Sequence, residues 1–243
     1  MALAGDHIQV LVHGYELTAD SNRISIADMR DMHDVTAFSD AAHKFIPGQT
    51  ASRLEHAGYM EAGAARSHPV LKGGALAGVI SILLGQNTAP AVGDPVYSLG
   101  ALQNTYQTLP EAGKVVPFTA RFAGGDAYGG FWATVLTPPL AFTTSTNGSA
   151  LDGGAATAQG GMGTLHVLTA AASDTYAFTI EGSATGAFTG EQTTLLTFAL
   201  DSSARSSERA GVSGAIPRWL RWKAVRTGSA GNTVQIAVHF TRF

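Results

Sequence analysis

The sequence predicts a mainly β protein, a sandwich or barrel followed by a second β unit, with at most one or two short helices. Apolar residues alternate with polar ones through much of the chain, as in "HIQVLVH", where Ile8, Val10 and Val12 share one face. No long amphipathic helix appears anywhere. The 29 glycines, with plentiful Ala, Thr and Ser, provide for many turns between short strands.

In order, "RISIAD" repeats the alternation through Ile24 and Ile26, and "ASRLEHAGYME" reads as a strand after a Pro47-Gly48 turn. One short helix fits in "EAGAARSHPVLKGGALAG", limited by Pro69 and the Gly73-Gly74 pair. "GVISILLGQ" is short, apolar and rich in β-branched residues, hence a buried strand. "PVYSLGALQNTYQTLP" and "KVVPFTARFAGG" form a hairpin through "PEAG", followed by "FWATVLT". Pro117 cannot donate to a ladder, which predicts an edge or bulged position.

From Thr137 to Gly163 the chain turns rich in Pro, Ser, Thr and Gly. This divides it into a first β domain at 1–140, a linker or long loop at 141–162, and a second β domain at 163–243. In the second, "TYAFTIEGS" puts Tyr176, Phe178 and Ile180 on one face, and the last strand does the same with Val234, Ile236, Val238 and Phe240. "AGKVVPFTARF" and "AGNTVQIAVHF" both set AG before a strand with matched alternation. Two readings stand: hairpins resemble one another, or one fold has been duplicated.

Composition excludes several classes of function. A net charge of −3 is wrong for a protein that tracks phosphates. Residues 1–140 carry 8 Lys+Arg against 12 Asp+Glu, and residues 141–243 carry 7 against 6. With no cysteine, disulfide frameworks, thiolate catalysis and zinc ribbons are all ruled out. "MALAGDHIQV" lacks the basic and apolar regions of a secretory signal. "GALAGVISILLG" falls short of the ~20 residues that span a bilayer, so a soluble product without a membrane anchor is expected. Only 14% of residues are charged, a sparse surface that is easier to understand if much of it is covered by other subunits.

"HDVTAFSDAAHKFIPGQTASRLEHAGYME" resembles the segment D-[VI]-T-x-F-x-D followed by [FY]-[IL]-P-G in the tail tube (major tail) proteins of long-tailed bacteriophages. "VYSLGALQNTYQTLPEAGKVVPFTARFA" resembles the back half of that domain. "MGTLHVLTAAASDTYAFTIEGSATGAFT" and "PRWLRWKAVRTG" resemble a second β unit found in one branch of these proteins. The resemblance implies a tail-tube-type β-sandwich or barrel. It implies a virion protein, made in the host bacterial cytoplasm, that self-assembles into stacked rings. Those rings form a hollow tube, joined to other tail proteins, through which DNA passes without specific binding. It also implies that the arm from about residue 31 to 48 packs between subunits, through Asp34, Thr36, Phe38, Asp40, Phe45, Ile46, Pro47 and Gly48.

The residues of that arm are compatible with such a role. Asp34, Thr36, Phe38 and Asp40 alternate along an extended segment, and short polar side chains of this kind bond neighbouring backbone groups. Phe38, Phe45 and Ile46 supply apolar anchors. Metal binding competes for the same stretch, because His33 with Asp34, and Asp40 with His43, are ligand types. Neighbours on an extended chain point to opposite faces, so His33 and Asp34 cannot chelate together, and Asp40 with His43 would need a helical turn. His7 and His13, beside Gln9 and Leu11, are expected to face solvent or an interface.

No G-x-S-x-G elbow surrounds the "GSA" triplets, and the Gly-rich "AGGDAYGG" and "DGGAATAQGGMG" have no Walker lysine or following helix. The sequence therefore predicts no enzyme, no cofactor and no metal. "RWLRWKAVR" could stack bases or sugars, but alternation puts Trp219, Arg221 and Lys223 on one face and Leu220, Trp222 and Ala224 on the other. That mixture fits one core tryptophan and one rim tryptophan.

Two functions of different class remain: a self-assembling tube subunit, and a β-sandwich binding module for carbohydrate or for capsid decoration. A lumen that passes DNA should be neutral or acidic, which makes the first half the expected wall. A duplicated tube fold would close a ring with three chains in pseudo-sixfold symmetry, whereas an outward appendage would need six. The matched AG endings tilt toward three.

Overall fold

The computed structural model describes residues 7–39, 41–73, 76–86 and 88–243. The first half holds β1 (Ile8–Val12), β2 (Tyr15–Glu16), β3 (Ser21–Asp34), β4 (Phe45–Tyr59), α1 (Ser67–Leu71), β5 (Ala77–Leu84), β6 (Pro95–Thr108), β7 (Pro117–Gly124) and β8 (Gly130–Phe142). The second holds β9 (Thr146–Asn147), β10 (Leu151–Asp152), β11 (Gly161–Thr169), β12 (Thr175–Ser183), β13 (Thr193–Thr197), β14 (Ser206–Val212), β15 (Trp219–Thr227) and β16 (Val234–Arg242). The protein is mainly β, as the alternation predicts. Its one described α-helix lies in the segment expected to hold one, with Pro69 in the first turn, where a missing N–H costs no hydrogen bond.

The described strands form antiparallel sheets of eleven and five strands. Along one edge, β6 pairs first with β8 (Pro95–Leu99) and then with β7 (Ala101–Thr108). The large sheet therefore forks. One branch is the ribbon β3-β4-β7-β6; the other continues through β8 to β16, β11 and β14. β7 is an inner strand between β4 and β6, so Pro117 is not at a sheet edge. It is instead the first residue of its strand, a position that also tolerates the missing donor.

Strand alternation sorts the core into layers. Val10, Val12, Ile80, Ile82, Tyr97 and Leu99 pack against Leu54, Phe118, Ala120 and Phe122 of the ribbon. Beyond β11 and β16, Leu165, Val167, Ile236 and Val238 face Tyr176, Phe178, Ile180, Leu220 and Trp222 of the smaller sheet. Between these lies a middle layer, with Leu11, Leu83 and Val96 against Val135, Leu168 and Ala237.

This middle layer is also where two of the buried histidines, His166 and His239, lie. His166 Nδ1–H donates to the His13 carbonyl (2.5 Å), and the Ser81 hydroxyl donates to Nε2 (2.8 Å). The His239 ring lies 5.6 Å from that of His166. Among the described residues neither His239 nitrogen has a clear hydrogen-bond partner, and a backbone contact at Val238 opposes only part of the effect of burial. Burial lowers the pKa of His166 to about 4 and that of His239 well below the usual imidazole value. The titratable groups acting on the pair are one another and His13, whose own pKa burial also lowers. His13 lies in the β1–β2 turn with φ 56°, its Nδ1 3.1 Å from the Ser207 hydroxyl of β14.

Residues 141–162 include β9 and β10, both lying along β15, and β16 pairs directly with β8. Both AG pairs put their glycine in the left-handed region, Gly113 at φ 77° and Gly231 at φ 71°. The strands around them are connected differently. β6 and β7 pair across the first turn, whereas β15 and β16 lie in different sheets.

Candidate assembly surface

β3 and β4 pair along almost their whole length, from Ser21 opposite Gly58 to Asp34 opposite Phe45. The far edge of β4 is covered by β7 only from Arg53 to Tyr59. Residues 45–52 of β4 and the β3 residues opposite them form a two-stranded hairpin with no further paired strand among the described residues. An isolated hairpin of this kind is marginal in water. This one exposes Met29, Met32, Val35, Phe38, Phe45 and Ile46, with Phe38 fully exposed.

Polar bonds close the tip. Val35 N–H donates to the Lys44 carbonyl (2.8 Å), and Lys44 N–H donates to Thr36 Oγ1 (2.9 Å). The Asp34 carboxylate accepts from the Thr36 hydroxyl and from Thr36 N–H (2.9 Å), and its other oxygen lies 3.1 Å from His43 Nδ1. The two Thr36 bonds, with a smaller contribution from His43, hold the Asp34 pKa below the usual carboxylate value. His43 in turn stacks on Phe45, with ring centroids 6.1 Å apart.

Several arm residues differ in place from the sequence reading. Of the alternating set, only Asp34 lies in a strand; Thr36 and Phe38 belong to the tip, and Asp40 lies outside the described residues. Pro47 and Gly48 do not make a turn but lie within β4, with Pro47 opposite Met32. A register shift between Arg30 and Met32 and the unpaired far edge of β4 accommodate the proline. At Gly48 a Cβ would run into the His33 imidazole, so the glycine makes room for that ring. The histidine that meets Asp34 is His43, nine residues on, a pairing across the tip that spacing alone does not reveal. Among the described residues, no three His, Asp or Glu side chains gather as a metal would require.

The base of the arm is fixed from below. Buried Tyr97 donates its phenol hydrogen to Asp28 Oδ1 (2.6 Å), and burial, together with that bond, pushes the phenol pKa up. Ser52 Oγ accepts from Gly130 N–H (2.8 Å). "ADMRDMHD" did carry a sign of the exposed Met29 and Met32, apolar residues spaced among charges on a long strand.

The aromatic-basic stretch is laid out as alternation predicts. Leu220, Trp222 and Ala224 are buried, while Trp219 is half-buried with the Arg218 guanidinium 5.4 Å from its ring. Its cations are already paired. Arg221 and Lys223 both reach buried Glu181 (2.7 and 3.0 Å), Arg218 binds Asp152, and Arg226 binds Asp174 (3.2 Å).

Among solved structures, the chain is similar to parts of three large particles. One is the virion of a native gene transfer agent particle, with a TM-score of 0.40, 14% identity, and 52% of this chain and 96% of that chain covered. The second is the anti-feeding prophage tube-terminating cap, with a TM-score of 0.44, 10% identity, and 55% and 92% covered. The third is the anti-feeding prophage baseplate, with a TM-score of 0.40, 14% identity, and 54% and 96% covered. No family model matches the chain, and neither does any curated protein.

Proposed function

We propose that this protein is a structural subunit of a phage-type tail, and that copies of it assemble into stacked rings forming the hollow tube through which DNA passes. The observation that carries this reading is the free β3–β4 hairpin, which presents six large apolar side chains from a ribbon that cannot cover them itself. In a tube the arm is buried against other copies, and Phe38 and Phe45 are its anchors. The acidic balance of residues 1–140 favours that half as the lumen wall, because a basic wall would grip phosphates. The different connections around the two AG turns favour a second half that is an outward appendage, and hence six chains per ring. A binding module has less support, since Trp222 is buried and the neighbouring cations are paired within the chain.

Negative-stain microscopy of the concentrated protein should show rings or cylinders, and native mass spectrometry of one ring should give six chains. Replacing both anchors, Phe38→Ser with Phe45→Ser, should abolish assembly and change the thermal unfolding temperature little, because Phe38 is fully exposed and Phe45 gives up mainly its stacking on His43. A wild-type protein that stays monomeric at high concentration, or a double variant that assembles like wild type, would overturn the proposal.

A further inference from the structure

Trp132 is a tryptophan that neither flanking core covers. It is 52% exposed, although its strand β8 is an inner one, paired with β6 on one side and β16 on the other. Trp132, Thr134 and Leu136 share a face of β8. At one end of that face Tyr97, opposite Trp132, belongs to the core beneath the ribbon; at the other, Leu136 belongs to the core beneath the smaller sheet. The indole therefore reaches the surface where the two coverings part, held against the Tyr97 ring with centroids 5.4 Å apart and planes at 66°. Beside it runs a cleft of about 500 Å³, with β8 and β16 on one wall and β10 and β15 on the other. Leu136, Leu220 and Phe240 give it a buried apolar floor, and Thr134, Asp152 and Thr241 give it polar groups. Its width is fixed from within. Arg242 of β16 reaches across to the Ala155 and Arg218 carbonyls (2.7 Å each), and a Cβ at Gly153 would run into that guanidinium.

We propose that this cleft binds a short neutral saccharide, with a pyranose ring stacked on the Trp132 indole. Its volume lies in the range of small-ligand sites, which combine apolar walls with a few polar groups that orient the ligand. A pyranose matches that combination, because its C–H face is apolar and packs on an aromatic ring while its hydroxyls both donate and accept. The Thr134 hydroxyl serves in either sense. Thr241 already donates its hydrogen to the Trp132 carbonyl (2.8 Å), so toward a ligand it accepts. Asp152, kept ionised by the Arg218 guanidinium, is a second acceptor. An anionic ligand is disfavoured, since both arginines beside the cleft are engaged, Arg218 with Asp152 and Arg242 with two carbonyls. The site is separate from the Trp219–Trp222 stretch. It does not rest on the tube reading, because every residue in it comes from one chain.

Saturation-transfer NMR with the methyl glycosides of glucose, galactose and mannose, and with N-acetylglucosamine, tests the site. At least one should bind saturably, with a Kd in the millimolar range expected for so small a ligand. Affinity electrophoresis through dextran, galactan or mannan, set against the free sugars, tells a polymer ligand from a free one. Trp132→Ala should raise the Kd about tenfold or more. Thr134→Val, which keeps the shape and removes one hydroxyl, should raise it several-fold at an unchanged unfolding temperature, so lost binding is not mistaken for lost folding. Trp219→Phe should leave the Kd as in wild type. No saturable binding of any of these probes would overturn the proposal, and so would Trp132→Ala and Thr134→Val proteins that bind like wild type.

Discussion

Acidification from pH 7 to pH 5 is expected to remove about 4 kcal/mol of folding stability through the buried imidazoles of His56 and His166, with His239 adding to the loss in the same direction. His56 donates from Nε2 to the Ser21 hydroxyl oxygen (2.7 Å), whose own hydrogen goes to the Leu17 carbonyl (2.7 Å). Its Nδ1 is buried without a partner, so a second proton there would find no acceptor. Burial lowers the pKa of His56 to about 4, against a smaller opposing pull from Asp20, and the two middle-layer histidines are lowered as described. In the unfolded chain each imidazole takes a proton near pH 6.5. As pH falls, the unfolded state therefore binds protons first. Stability is full above about 6.5 and is lost progressively toward pH 4.

His56 and His166 each contribute roughly 2 kcal/mol over this interval, against a typical total of about 5–15 kcal/mol. Urea unfolding at pH 7, 6 and 5 should show the midpoint falling throughout, and an unchanged midpoint would refute the assignment. His239→Leu offers a sharper check, because neither ring nitrogen has a clear hydrogen-bond partner and an apolar side chain of similar size satisfies the site better. That variant should be more stable at pH 5 and lose part of the pH dependence. The carboxylate contribution lies lower. The Arg218 guanidinium holds Asp152 at about 2, so its stabilising effect is lost only between the ordinary carboxylate pKa and that value.

The second large effect is expected at Trp222. Its ring is fully buried, stacked on Phe142 with centroids 5.5 Å apart, in the cluster that joins β15 to β16 and β12. Trp222→Ala should cost about 3–5 kcal/mol by lost burial and a residual cavity. For a chain of this length the melting temperature should fall by roughly 10 °C. Trp219→Ala, three residues earlier on the half-buried face, should cost less than about 1 kcal/mol. Calorimetry on the two variants tests the contrast, and equal losses would mean that strand alternation does not govern β15.

Much of this fold is legible in period-two patterning, because a strand with one buried face must alternate. The faces of β15 and the first part of β12 follow it directly, and so does the split between Trp219 and Trp222, whereas β1 and β16 are buried on both faces because a further layer packs behind them. What the pattern cannot carry is pairing at a distance. β6 changes partner partway along one edge, and nothing local in its sequence announces that. Pro117 reads as an edge or bulged position because proline lacks a donor, yet the first residue of an inner strand satisfies the same constraint. Pro47-Gly48 reads as a turn by composition, but the long β3–β4 ladder keeps it extended. The contact between Asp34 and His43 depends on a tip loop whose shape is set by the strands beneath it. His166 and His239 come together only once β11 and β16 pair, Thr164 opposite His239 and His166 opposite Ala237.

The pairing of β16 with β8 sets an order of events in folding. Their partner residues are roughly a hundred positions apart in the chain, so the contact closes late and contributes strongly to a slow, topology-limited search. Until β16 has been made, β8 and β11 each present an unsatisfied edge, and the layer that buries Leu165 and Val167 lacks its other wall. The first half can condense earlier around its own core, but it stays tethered to an unfinished neighbour. Pulse-labelled hydrogen exchange should find the amides of β11 and the second part of β8 protected last, after those of β5 and β6. A chain built this way finishes folding only when its most distant strand arrives, a built-in delay before aggregation-prone edges are sealed.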